Sequence, residues 1–132
     1  MEPTLFSDRD RRGQVIFAGL LPAIIGAVAG ILLGVSSGAY WAIGALAALG
    51  ALVAGFEHLD VRSAALRGLV AGAVYGAALL LAHAIAGTDA KVSLGSFPPF
   101  LVVITAVAGA ILTAAGAWLA RGRRDRAAPT NP

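Results

Sequence analysis

The chain has 132 residues, of which 58% are hydrophobic and 13% charged, whereas about a quarter of the residues of an ordinary soluble domain are charged. No charged residue occurs between Gly13 and Phe56 or between Val92 and Ala120, and runs of this length indicate a helical membrane protein that crosses the bilayer several times. The absence of cysteine excludes disulfides, thiolate metal sites and cysteine catalysis.

The first predicted elements are a polar cytoplasmic tail over residues 1–13 and a transmembrane helix over residues 14–35. A cleaved signal peptide is the alternative, but the apolar run exceeds the roughly 7–15 residues of a signal-peptide core. Pro22 lies within this span and is expected to loosen the helix about one turn earlier. The sequence Ser36-Ser37-Gly38 then predicts a tight turn, which makes the first two spans an antiparallel hairpin.

The second span is predicted over residues 39–56, and Tyr40 and Trp41 at its start are typical of the membrane interface. Charged residues then cluster in the loop that follows, and each would cost about 2.5 to 3.5 kcal/mol at the bilayer centre. The chain must therefore return to water here. Asp60 or Ser63 is expected to cap the third span, over residues 63–86, and Arg67 to extend from that span towards the interface.

Residues 87–97 form the longest predicted loop, and Pro98 and Pro99 are expected to end it and start the fourth span. That span is predicted over residues 99–120, with Trp118 at the interface. Residues 121–132 are predicted to be a basic cytoplasmic tail that is solvated, and disordered beyond Asp125.

The distribution of basic residues predicts the orientation. Four spans place both termini and the central charged loop on one side of the membrane. Eight arginines lie in these segments and Arg67 lies close to the loop in the third span, while Lys91 lies on the other side. The positive-inside rule then puts both termini in the cytoplasm. The fold predicted is an all-α membrane protein of four transmembrane helices, arranged as two antiparallel hairpins. Arginine in place of lysine and abundant alanine and glycine indicate a GC-rich prokaryotic genome and hence a cell-membrane location.

Glycines spaced by four residues are the clearest packing signal in the sequence. This spacing keeps them on one helical face, where another backbone can approach closely. Such faces join helices within one monomer or between copies in a homo-oligomer. The strings Gly-Ala-Val-Ala-Gly and Gly-Ala-Val-Tyr-Gly, which begin at Gly26 and Gly72, also raise the hypothesis of a duplicated hairpin. The predicted packing residues are Gly26, Gly30, Gly34, Gly68, Gly72, Gly76, Gly109 and Gly116.

Seven polar residues are candidates for chemistry. Glu57, His58 and Asp60 are metal-ligand types, but the ligand set is incomplete, and the simpler interpretation is a solvated loop in which the carboxylates pair with Arg62 or Arg67. His83 could serve a proton relay but lacks an ionisable partner within the spans, which favours an interfacial histidine. Tyr75 either lines a polar path or packs between helices, and Thr105 and Thr113 are expected to bond their own i−4 carbonyls.

These patterns contain no phosphate-binding loop and no nucleophile with its base, so no catalytic, cofactor or metal site is predicted. The expected function is that of a non-enzymatic structural, accessory or assembly partner that acts through glycine-rich helix packing. The alternative is an oligomeric channel or small-solute permease, and a membrane-embedded enzyme would depend on Glu57, His58 and Asp60. The expected partners are the bilayer with its anionic lipids and a second copy or another membrane protein, and not nucleic acid.

Overall fold

The computed structural model describes residues 4–130, and within this part of the chain every regular element is helical. Four helices are long and apolar enough to cross a membrane: α1 (Arg11–Leu33), α2 (Ser37–Gly55), α3 (Val61–Ala86) and α4 (Phe100–Ala127). A short 3-10 turn over Phe6–Asp8 precedes them. The architecture is that expected of a multi-pass membrane protein.

The helix bounds differ from the predicted spans mainly at the two ends of the chain. α1 already begins at Arg11, because the Asp10 side chain accepts a hydrogen bond from the Gly13 amide (2.9 Å) and so caps the helix. α4 continues to Ala127, well past the predicted boundary at residue 120 and beyond Asp125. Its last turns are rich in arginine and alanine, which favour helix, and the arginines also interact favourably with the negative end of the helix dipole.

α1 is irregular in its first half. A π-helical turn over Ile16–Leu20 interrupts it, and Pro22 follows directly. Proline has no amide hydrogen and its ring collides with the preceding turn, so the local hydrogen-bond pattern widens. The distortion therefore lies where Pro22 is expected to loosen the helix.

The helix starts and ends inside the chain follow local signals. The Ser36 hydroxyl accepts a hydrogen bond from the Ala39 amide (3.3 Å) at the start of α2, and the Asp60 carboxylate accepts one from the Ser63 amide (3.1 Å) at the start of α3. Asp60 is thus the cap of the third helix, the first of the two predicted alternatives. α3 ends at Ala86 and is followed by Gly87, whose φ of +63° is a left-handed conformation that glycine adopts without strain.

Each helix packs on two main neighbours. α3 contacts α4 most extensively and also packs along α1, whereas α2 contacts α4 and, less extensively, α1. α2 and α3 are consecutive in sequence but share few contacts. Ala29, Leu33 and Leu79 are fully buried between α1 and α3 and form the largest hydrophobic cluster.

Hydrogen bonds between distant segments define the two ends of the bundle. At one end the Phe6 amide donates to the Glu57 carbonyl (2.9 Å), which joins the N-terminal segment to the α2–α3 loop. At the other end the Lys91 amide donates to the Leu33 carbonyl (2.8 Å), which joins the α3–α4 loop to the end of α1. All nine arginines belong to segments at the first end, which we call the arginine end.

Candidate polar site at the arginine end

The α2–α3 loop collects side chains from three other parts of the chain. These come from the N-terminal segment, from the first turns of α3 and from the last turns of α4. Together with two loop residues they form what we call the loop cluster, whose members are Phe6, Arg9, Glu57, His58, Arg67 and Arg124.

Glu57 forms the ion pairs of this cluster. Its Oε1 lies 2.8 Å from Nη2 of Arg9, and its Oε2 lies 3.9 Å from Nη1 of Arg67. The Glu57 side chain is 19% exposed and the Arg67 side chain 8% exposed, so both are largely shielded from water. Arg67 was one of the two partners expected for the loop carboxylates. Arg9, the closer partner, was missed because it is 48 residues away in a segment predicted to be a polar cytoplasmic tail.

Arg67 turns back towards the loop. Its Nη1 donates to the Ala54 carbonyl (3.2 Å), and its Cζ lies 4.4 Å from the centroid of the Phe6 ring. A guanidinium is weakly hydrated and stacks well on aromatic rings, which suits it to such a site. Arg67 therefore turns towards the polar end of α3, as expected, and is enclosed there by the loop and the N-terminal segment.

His58 is the most buried polar residue of the loop, with 6% of its surface exposed. Its ring stacks on Phe6 with centroids 5.2 Å apart and planes at 21°, and its Nδ1 lies 3.3 Å from the Ala54 carbonyl. Burial lowers the pKa of His58, because desolvation disfavours the imidazolium. The hydrogen bond to Ala54 opposes this shift of the pKa, nearby Arg67 adds to it and Glu57 opposes it.

The backbone of the loop is held as firmly as its side chains. Nη2 of Arg124 donates to the Phe56 carbonyl (2.9 Å) and Nη1 to the His58 carbonyl (3.2 Å), while the Glu57 carbonyl accepts from the Phe6 amide. Three consecutive carbonyls therefore have partners from other elements, as poorly solvated backbone groups require. The Phe56–His58 part of the loop is therefore held by other elements, whereas Leu59 and Asp60 are exposed.

The remaining candidates of the loop do not join the cluster. Asp60 caps α3, and Arg62 is exposed. Within residues 4–130 no group of three or more histidine or acidic side chains lies close enough to hold a metal ion.

The two polar candidates of α3 lie apart from this end. Tyr75 packs against the cluster of Ala29, Leu33 and Leu79. His83 lies in the last turn of α3, and its buried Nδ1 has no hydrogen-bond partner among the described residues. Neither side chain is joined to the loop cluster.

Gly26 and Gly30 of α1, and Gly34 directly after it, lie against the C-terminal half of α3 and the residues after it. A Cβ atom at Gly26 would overlap the Tyr75 carbonyl, and one at Gly30 would overlap the Leu79 carbonyl. A Cβ at Gly34 would meet the Thr88 side chain just beyond α3.

The other predicted glycines lie where α4 crosses its neighbours. Gly68 and Gly109 face each other, so that a Cβ on either would overlap the other's carbonyl. Gly72 and Gly76 lie against Thr105, and Gly116 lies against Leu52 and Gly55 of α2. Gly55 was missed because no other glycine of α2 lies four residues from it.

The threonines of α4 bond within their own helix. Oγ1 of Thr113 donates to the Gly109 carbonyl (2.7 Å), and that of Thr105 donates to the Leu101 carbonyl (3.0 Å). The predicted i−4 bonding is confirmed, and it satisfies both hydroxyl hydrogens inside the bundle.

The loop cluster is an ionic and hydrogen-bonded assembly in which Oε2 of Glu57 and Nε of Arg9 and of Arg67 are buried without a hydrogen-bond partner among the described residues. Its carboxylate contacts two guanidiniums, its imidazole is directed at a backbone carbonyl, and its third guanidinium holds the loop. Comparisons of the chain with protein-family models, curated proteins and solved structures find no match.

Proposed function

We propose that this chain is a non-enzymatic multi-pass protein of the cytoplasmic membrane that serves as a structural, accessory or assembly partner through glycine-rich helix packing. One observation supports the proposal: Glu57 is ion-paired with Arg9 and Arg67 within the chain, and Arg67 and Arg124 donate to backbone carbonyls at the loop. A catalytic or transport site needs such groups directed at a substrate or a pathway.

The distribution of side-chain size supports a role in the lipid phase. Close helix contacts are made by glycine and threonine, whereas many large aliphatic side chains project outwards, among them Ile24, Ile31, Leu49, Val53, Val70 and Ile111. This reverses the pattern of a soluble bundle and suits helices that associate by backbone proximity in hydrocarbon.

We also propose that the chain is inserted as two antiparallel hairpins with both termini in the cytoplasm. The chain has no cysteine, so Leu59→Cys and Lys91→Cys each introduce a single thiol, and both positions are exposed. We expect a membrane-impermeant maleimide to label Lys91→Cys in intact cells and Leu59→Cys only after the cells are opened, since the positive-inside rule puts the arginine end inside. Labelling of both thiols from the same side would contradict this orientation.

The arginine end is the proposed contact with anionic lipid. Six of its arginines are exposed, whereas the three of the loop cluster are partly covered. Each exposed arginine near the surface contributes about 1 kcal/mol of attraction to an anionic leaflet. The six are Arg11, Arg12, Arg62, Arg121, Arg123 and Arg126.

α2 is the proposed contact with a second copy or another membrane protein. Gly55, at its end, is the one described residue of α2 that is fully buried, and the others are half-buried or exposed. Its outward side has Gly50 in open space between the exposed residues Leu46, Leu49 and Val53. A small residue between larger ones allows a further helix to approach closely.

Purification in mild detergent tests the assembly role, and the variant Gly50→Leu tests whether the outward side of α2 makes the contact. We expect the wild-type chain to be recovered with a second copy or a membrane protein, and Gly50→Leu to remove most of that partner while leaving the helical content unchanged. Recovery of the same partner with Gly50→Leu would contradict the use of this surface. Flux of potassium, protons or glycerol through liposomes containing the purified chain would favour the channel alternative.

A further inference from the structure

The N-terminal segment, residues 4–10, lies on the α2–α3 loop chiefly through Phe6 and Arg9. The Phe6 amide bonds the Glu57 carbonyl (2.9 Å), the Phe6 ring stacks on His58, and Arg9 pairs with Glu57 (2.8 Å). The stacked ring covers His58, which is 6% exposed. The side chain that Phe6 covers is thus a histidine, the residue type whose charge changes close to neutral pH.

The surroundings of His58 favour its neutral form. Burial lowers its pKa, and although the contact of Nδ1 with the Ala54 carbonyl favours the charged ring, a neutral imidazole protonated at Nδ1 also makes that contact. The charged groups near it are Arg67 from α3, Arg124 from α4, which holds the His58 carbonyl, and Glu57, which already contacts Arg9 and Arg67. Asp60 is directed at the Ser63 amide.

A proton on the His58 ring would add a positive charge to a covered site where Glu57 already faces two guanidiniums. Arg67 also lies over the Phe6 ring, with 4.4 Å between Cζ and the ring centroid. A protonated His58 would therefore place a second cation on the same aromatic ring. When the imidazole is exposed to water, its charge is solvated and it no longer shares the Phe6 ring with Arg67. This exposure requires Phe6 to move away.

We propose that the Phe6–His58 stack is a pH-sensitive latch, in which protonation of His58 by bulk water releases residues 4–10 from the α2–α3 loop. Release uncovers His58 and separates Arg9 from Glu57 at the arginine end. The latch is independent of the proposed assembly role, because it depends only on contacts within one chain.

The direction of the pH dependence follows from the burial of His58. Its pKa is lower in the latched state, where it is covered, than in the released state, where it takes the ordinary value of about 6.5. The latched state is therefore fully favoured above about pH 6.5 and loses stability as the pH falls from there towards the lowered pKa. Over that interval the ratio of released to latched chain rises by up to about tenfold per pH unit, the limit for one proton.

Hydrogen exchange at the Phe6 amide measures this release in the full chain reconstituted in bicelles. We expect its protection factor, corrected for the intrinsic pH dependence of exchange, to fall as the pH is lowered from about 7.5 to about 5. In His58→Gln, which keeps a side-chain donor for the Ala54 carbonyl but does not titrate, the protection factor should stay constant over the same range.

The second histidine supplies the matched control. His83 lies on α3 away from the loop cluster, so His83→Gln should retain the wild-type pH dependence, while Phe6→Ala should lose protection at every pH. A wild-type protection factor that does not change with pH would overturn the proposal. A His58→Gln protection factor that falls as steeply as that of the wild type would also overturn it, because the pH dependence would then come from another group. Unchanged protection in Phe6→Ala would overturn it as well.

Discussion

Gly68→Ala is expected to destabilise the bundle by about 3 kcal/mol, the upper part of the usual range for an overpacked core. The added Cβ would overlap the Gly109 carbonyl and approach the Thr113 hydroxyl. Because a backbone carbonyl cannot turn aside as the end of a side chain can, α3 and α4 must move apart along their whole contact. Alanine favours helix over glycine by only about 1 kcal/mol, so the steric effect decides the sign.

The matched control for this variant is Gly44→Ala on α2. No heavy atom of the described structure lies within 4 Å of a Cβ at that position, so we expect stability to be unchanged or higher by up to about 1 kcal/mol. Unfolding both variants by titration of sodium dodecyl sulfate into mixed micelles, followed by circular dichroism, measures the difference. Equal stability of the two variants would show that α3 and α4 do not meet at Gly68.

Glu57→Ala is expected to cost about 2 kcal/mol of stability at neutral pH. Removing one partner of a fully buried ion pair costs about 3 to 5 kcal/mol, and the partial exposure of Arg9 and Glu57 reduces this figure. Without the carboxylate, Arg9 and the largely covered Arg67 retain their charges with no counter-ion. The same unfolding titration measures the loss.

Arg62→Ala is the matched control for the ion pair. Arg62 lies close to the same loop but is exposed, and substitutions of this kind usually change stability by less than about 0.5 kcal/mol. An equal, small effect of both substitutions would mean that the loop is solvated, as its charge pattern alone predicts.

Much of the fold could be predicted from the sequence because its signals are local. The apolar runs and the polar breaks between them indicate four helices, and the Asp60 cap and the Pro22 irregularity are encoded within one helical turn. The glycine spacing identifies faces that allow close approach, but not which helix approaches. Gly26 and Gly72 start similar strings and yet lie against different helices, α3 and α4.

The loop cluster could not be predicted in the same way, because its partners are distant in sequence. Arg9 is 48 residues from Glu57, and Arg124 is 66 residues from His58. Both arginines lie in segments that the sequence predicts to be cytoplasmic tails, and only the fold brings them to the loop. The positive-inside rule predicts on which side of the membrane these arginines lie, but it does not predict which of them contact the loop.

The hold of Arg124 on the Phe56 and His58 carbonyls has a consequence for biogenesis. The ribosome makes α1, α2 and α3 before it reaches this arginine. The α2–α3 loop is therefore present before Arg124 can hold its carbonyls. A residue translated 66 residues after His58 thus completes the arrangement of the α2–α3 loop. A nascent chain stalled just before Arg124 should therefore carry that loop open to attack by proteases, and resumed translation should close it.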